Sequence, residues 1–208
     1  MKYLLCNLIF FLILIFPRLY ADDRTNIAVI DSLTRDLIAE ILEDAQWSEG
    51  DTAALKIELE DRQKVAYCQQ MLSEYLEQKS LTIFRNYNQL SSFDGLVIEI
   101  SRFGSVILYT DPYSDGLFGE NFTSRIIEVQ MSGQAFNAGT GRIYRSIADE
   151  RNFRDEIRYS VIEEIEASEF GFSRGKRRGY SWWDTYIEPI LVVSSVVVVV
   201  LLFFTQRN

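Results

Sequence analysis

Residues 125–147, RIIEVQMSGQAFNAGTGRIYRSI, decide the fold. Ile127, Val129, Met131 and Ala135 fall on one side of an extended chain, while Glu128, Gln130, Ser132 and Gln134 fall on the other. That alternation marks a strand with one face in a core and one in water. Residues 137–141, Asn-Ala-Gly-Thr-Gly, then supply the types that tolerate the dihedrals of a tight reversal. Residues 142–147 are therefore expected to return as the paired strand.

Upstream, LVIEIS at 96–101 and VILYT at 106–110 read as further strands, with Phe103 and Gly104 between them expected to bend or bulge the chain. LTIFRNY at 81–87 is another strand, and Leu55, Ile57 and Leu59 alternate with Lys56, Glu58 and Glu60 as a half-buried one. Two helices show apolar residues at helical spacing. Leu33, Leu37, Ile38, Ile41 and Leu42 follow the capping pair Asp31 and Ser32, and Val65, Cys68, Leu72, Tyr75 and Leu76 share a second face. Downstream, Phe153, Ile157, Val161 and Ile165 stand four apart and predict a last helix ending near Gly171. The order implies a single α+β domain over residues 25–170, with helices packed on a mixed or antiparallel sheet.

The stretch 96–146 resembles the curli-secretion-channel superfamily, whose relatives include lipoproteins that activate peptidoglycan synthases and a flagellar outer-membrane accessory protein. The likeness rests on a strand giving onto Gly104, a glycine-rich loop with Leu117-Phe118-Gly119, a strand ending Gln134-Ala-Phe136, and Thr140-Gly141-Arg-Ile143 followed by Ser146. It implies an envelope domain that binds or assembles other components. This chain departs from the pattern, with no lipidated cysteine at the mature start and an apolar C-terminal segment, so pore formation does not carry over.

Residues 1–21 have a basic start, an apolar run, Pro17 and a small-residue site ending at Ala21, the pattern of a secretory signal, with an uncleaved anchor as the alternative. Residues 190–204 carry no charge, and 186–205 is expected to span a bilayer as a helix. Between domain and span, 171–185 reads as a juxtamembrane linker. Arg174, Lys176, Arg177 and Arg178 would meet anionic headgroups, and Trp182, Trp183 and Tyr186 suit the interfacial belt. Export of the domain is favoured by the leader, although the positive-inside rule opposes placing four basic residues outside. The alternative is a cytoplasm-facing domain between two anchors.

The net charge is −9, and removing residues 1–21, which carry Lys2 and Arg18 and no acid, takes it to −11. Such a surface repels nucleic acid. Histidine is absent, which removes histidine general bases, Ser-His-Asp and Cys-His catalysis and the common zinc sites. Cys68 is left as one thiol on an apolar helix face, expected to be buried and inert. Asp111, Asp115 and Glu120 are the strongest acidic cluster, readable as calcium ligands, as the acid and base of a glycan hydrolase, or as ordinary turn formers. Their spacing lacks the calcium-loop rhythm, so no metal and no cofactor is expected. Tyr109, Tyr113, Leu117, Phe118 and Phe122 place aromatic and apolar groups in or beside a loop, either as partner anchors or folded over the core. The expected function is a non-enzymatic, membrane-anchored envelope protein that binds or helps assemble another envelope component. Its rival is a carboxylate-dependent hydrolase acting on envelope glycans.

Overall fold

The structure is a computed structural model that describes residues 24–48, 50–84, 93–114 and 120–177. In chain order these form α1 (Asn26–Ile41), β1 (Thr52–Ile57), α2 (Arg62–Gln78), β2 (Thr82–Phe84), β3 (Leu96–Tyr109), β4 (Tyr113–Ser114), β5 (Asn121–Asn137), β6 (Ile143–Arg158), a 3-10 turn (Tyr159–Val161), α3 (Ile162–Ile165), a second 3-10 turn (Gly171–Ser173) and β7 (Lys176–Arg177). The strands make one mixed sheet in the spatial order β2, β1, β3, β5, β6. β4 continues the β3 side of β5, and β7 lies along the outer end of β3. β1 is parallel to both of its neighbours, whereas β3, β5 and β6 run antiparallel. The fold is α+β, as the order of elements implied.

Helix α1 begins five residues before Asp31, because Thr25 supplies the cap and its hydroxyl accepts from the Ala28 amide at 3.3 Å. Asp31 instead accepts a hydrogen bond from the Tyr67 hydroxyl. Val29, Ile30, Leu33, Leu37, Ile38 and Ile41 face the sheet and are buried. Helix α2 starts at Asp61, whose carboxylate caps Gln63 at 2.8 Å, and buries Tyr67, Cys68, Met71, Leu72 and Leu76. In β1 the residues Ala53, Ala54 and Leu55 are buried in succession, since a strand flanked by parallel neighbours is covered on both faces.

Strand β3 is unbroken at Phe103 and Gly104, which stay in register with Met131 and Gln130. The irregularity falls earlier, between Ile100 and Arg102, where Ser101 is the extra residue. One extra residue reverses the side-chain parity. Leu96, Ile98 and Ile100 point inward before it, and Phe103, Ile107 and Tyr109 do so after it.

The hairpin of β5 and β6 is far longer than expected. Asn137 Oδ1 accepts from the Thr140 amide at 2.8 Å, and Gly141 adopts a φ of +69° in the turn. From there β6 runs to Arg158, so residues 153 and 157 belong to a strand and not to the predicted last helix. A spacing of four suits both a helix of period 3.6 and a strand of period two. The inward positions before and between those apolar ones are Asp149, Arg151 and Asp155, and charged partners satisfy them. Glu40 of α1 accepts from Arg151 at 2.5 Å, and Arg125 donates to Asp155. Only Ile162–Ile165 is helical.

The segment after α3 packs onto the domain. Phe172 sits 5.1 Å from the Tyr67 ring and 5.7 Å from Phe103, Ser173 is buried, and β7 pairs with Leu108 and Tyr109. Gly175 makes the approach possible, because a Cβ there would run into the Tyr109 ring and Ile107. The folded body thus extends to Arg177, past the boundary expected at 170. Residues 1–21 and 186–205 lie outside the described residues. Among the described residues, no helix is long and apolar enough to cross a membrane.

The Arg125 guanidinium is fully buried, and replacing it with methionine leaves Asp155, Asn26 and the Arg24 carbonyl without their donor. Arg125→Met is expected to lower stability by about 3–5 kcal/mol, read as a fall in denaturation midpoint of the purified chain. Arg125→Lys keeps the charge without the planar fork and is expected to recover only a minor part.

Candidate functional site

The aromatic loop begins where β3 ends. Tyr109 closes the strand with its side chain inward, and its hydroxyl accepts from Asn26 Nδ2 at 2.9 Å. Burial pushes its phenol up to about 12. Beyond it, the Thr110 amide donates to the Ser124 carbonyl at 3.0 Å, and the Thr123 hydroxyl donates to the Thr110 carbonyl at 2.8 Å. These bonds hold the two ends of the loop together. β4 then sets Tyr113 opposite Phe122, with the rings tilted at 32° and 6.1 Å apart.

This geometry separates the five aromatic and apolar candidates. Tyr109 is buried in the core, the packed one of the two alternatives, and Phe122 is buried beside Tyr113. Tyr113 is 46% exposed. Leu117 and Phe118 lie outside the described residues.

The basic cluster is likewise divided. Arg174 and Lys176 are exposed, whereas Arg177 donates to Glu166 at 2.8 Å and stands 3.9 Å from Glu163. Arg177 therefore helps fasten β7 to the turn after α3 and is less free to meet headgroups than expected. Arg178, Trp182, Trp183 and Tyr186 lie outside the described residues.

Of the acidic cluster, Asp111 and Glu120 are exposed and Asp115 is outside the described residues. Among the described residues, no group of three or more His, Cys, Asp or Glu is placed to hold a metal ion. A shallow groove of about 310 Å³ is bordered by β3, β5 and β6, with Arg102, Gln130, Asp149 and Glu150 in its lining. The Glu150 amide and Arg151 hold the Asp149 carboxyl below its ordinary value, the opposite of what a general acid needs. Cys68 is buried, and desolvation pushes its thiol up to about 12, away from the thiolate. Glu99 accepts from Lys56 at 2.8 Å and Gln134 at 2.7 Å, which makes it part of a polar ladder across β1, β3 and β5.

The residue that sequence reading missed is Arg125. Its Nε and Nη2 grip both oxygens of Asp155 at 2.9 and 2.5 Å, while Nη1 donates to the Arg24 carbonyl at 2.7 Å and to Asn26 Oδ1 at 3.0 Å. Asn26 Nδ2 in turn donates to the Ser173 carbonyl at 2.9 Å. Its odd-numbered place on the inward side of β5 was visible, but the partner on β6 depends on a register that only the fold supplies.

No protein family matches the chain, and no curated protein does so. Several solved structures are similar to it at low identity. A minor lipoprotein from Acinetobacter baumannii is 10% identical over 53% of this chain and 68% of its own, with a TM-score of 0.31. The rare lipoprotein B from Shewanella oneidensis is 10% identical over 70% of this chain and 84% of its own, with a TM-score of 0.32. Lipoprotein GNA1162 from Neisseria meningitidis is 8% identical over 71% of this chain and 98% of its own, with a TM-score of 0.25. All three are bacterial lipoproteins by name, and none is named for the curli-secretion-channel superfamily.

The Lys56 hydrogen bond leads the effects that hold the Glu99 carboxyl below its ordinary value. A depressed carboxylate contributes stability that is present above the unfolded value, about 4.3, and is lost as pH falls through the folded one. Glu99→Gln is therefore expected to lower the melting temperature near pH 6 by a margin that shrinks in steadily more acidic buffer. Lys56 is 41% exposed, so the margin is expected to stay below about 1 kcal/mol.

Proposed function

We propose that this chain is a non-enzymatic cell-envelope protein, tethered to a membrane by residues 186–205, whose domain sits on the exported side and binds or helps assemble another envelope component. The feature that carries this reading is the meeting of the two exits from the domain. Arg24 and Asn26, which follow the leader, are hydrogen-bonded through Arg125, and Asn26 also bonds Ser173, four residues before the last described one. An export signal and an anchor would then both leave from one end of the domain and meet one bilayer. The charge of −9 and the missing histidine support a binding role over nucleic-acid recognition or histidine-based catalysis.

The partner surface we propose is centred on Tyr113, an exposed aromatic at the mouth of the loop. Truncating one such anchor costs binding without disturbing a core. Crosslinking and affinity capture from native membranes should recover a specific envelope component with the intact chain. Tyr113→Ala should reduce that recovery on the order of tenfold while leaving the protein folded and membrane-bound. Unchanged recovery rejects this surface, and protection of the domain from protease added to spheroplasts rejects export.

A further inference from the structure

Val106-Ile-Leu-Tyr109 is an unbroken apolar run on a strand whose antiparallel neighbour alternates. Ile107 and Tyr109 enter the core, which leaves Val106 and Leu108 on the outer face at 44% and 43% exposure. Leu108 stands directly opposite the half-buried Ile126, and directly opposed side chains share a face. Val106 lies two residues along the same strand, so the three form a continuous strip ending near Tyr113. Isolated surface apolar residues are ordinary, but a joined strip marks a contact surface.

Positive charge surrounds this strip on an otherwise acidic chain. Arg154 of β6 faces Ile126, Lys176 of β7 faces Leu108, and Arg174 lies two residues before Lys176. All three are exposed, and none forms an ion pair among the described residues, in contrast to Arg145, Arg151 and Arg177. The acids on the same face are Glu156, Glu128, which accepts from Gln130 at 2.6 Å, and, farther along the sheet, Glu150 and Glu99. The chain also leaves the domain here. Residues 178–185 reach at most roughly 26–29 Å when extended, which keeps the end of β7 close to any bilayer that holds 186–205.

We infer that this strip, with Arg154, Arg174 and Lys176 around it, lies on an anionic lipid surface and sets the orientation of the domain on the membrane. The inference rests on the tethered reading above. Apolar side chains enter the boundary between headgroups and acyl chains, while the cations meet lipid phosphates and the acidic remainder is repelled outward. The surface around Tyr113 would then be offered at membrane level.

The test uses the full chain carrying Cys6→Ser, with Cys68 left in the core, reconstituted into phosphatidylcholine vesicles with or without phosphatidylglycerol. A fluorophore is attached at Leu108→Cys or, as the reference, at Ile143→Cys, an exposed site at the opposite end of the hairpin. Nitroxide lipids are expected to quench position 108 severalfold more than 143, and more strongly when phosphatidylglycerol is present. Combining Arg154→Glu with Lys176→Glu should reduce that quenching while the protein still floats with the vesicles. Equal quenching at 108 and 143 in floating protein overturns the inference and spares the tether. Protection of position 108 from both nitroxide lipid and aqueous iodide shows that the chain's own residues cover the strip, and overturns it as well. Failure to float removes the tethered reading and the orientation with it.

Discussion

A fully buried guanidinium is costly unless its donors are met, and at Arg125 they are met by three residues. Asp155 supplies a carboxylate across the hairpin, Arg24 a carbonyl before α1, and Asn26 an amide oxygen from its first turn. Asn26 passes the constraint on to Tyr109 and Ser173. The network therefore fixes the end of β3, the entry to α1 and the turn before β7 in one arrangement. Each partner is satisfied only while the others stay in place. That coupling makes the entry and exit of the domain neighbours.

The opposite flank depends on a second set of charges. Glu40 of α1 receives both Arg145 and Arg151 from β6, and Arg145 also reaches Glu43 and Asp44. The helix thus lies across a hairpin whose inward face is only partly apolar. Ion pairs as exposed as these contribute modestly to stability, but together with the Arg125–Asp155 and Arg151–Asp149 pairs they explain how β6 can present Asp149, Arg151 and Asp155 toward the domain and remain a strand. The apolar work falls to Ile127, Val129, Met131 and Ala135 of β5 against α1, and to the ring cluster of Tyr67, Phe103, Phe170 and Phe172.

The bulge at Ser101 links fold and surface. By reversing the parity of β3, it sends Ile107 and Tyr109 inward and turns Val106 and Leu108 out. Without that extra residue the same apolar run would present a different pair to solvent. The outward strip therefore follows from one local irregularity in a long ladder.

Local pattern was enough for the α+β class, the faces of α2 and β5, the turn at Asn137, the burial of Cys68 and the chemistry that lacking histidine removes. Each depends on residues near one another in sequence, where periodicity and turn preference act directly. It failed at 153–158, because a spacing of four fits two periods and Asp155 between them is satisfied from β5. It also set the bulge two to three residues late and left open whether Tyr109 and Phe122 pack or project. The tertiary structure decided those points, along with the burial of Arg125 and the return of residues 171–177 onto β3. All of them turn on strand register and on partners roughly a hundred residues away, and no local pattern carries either.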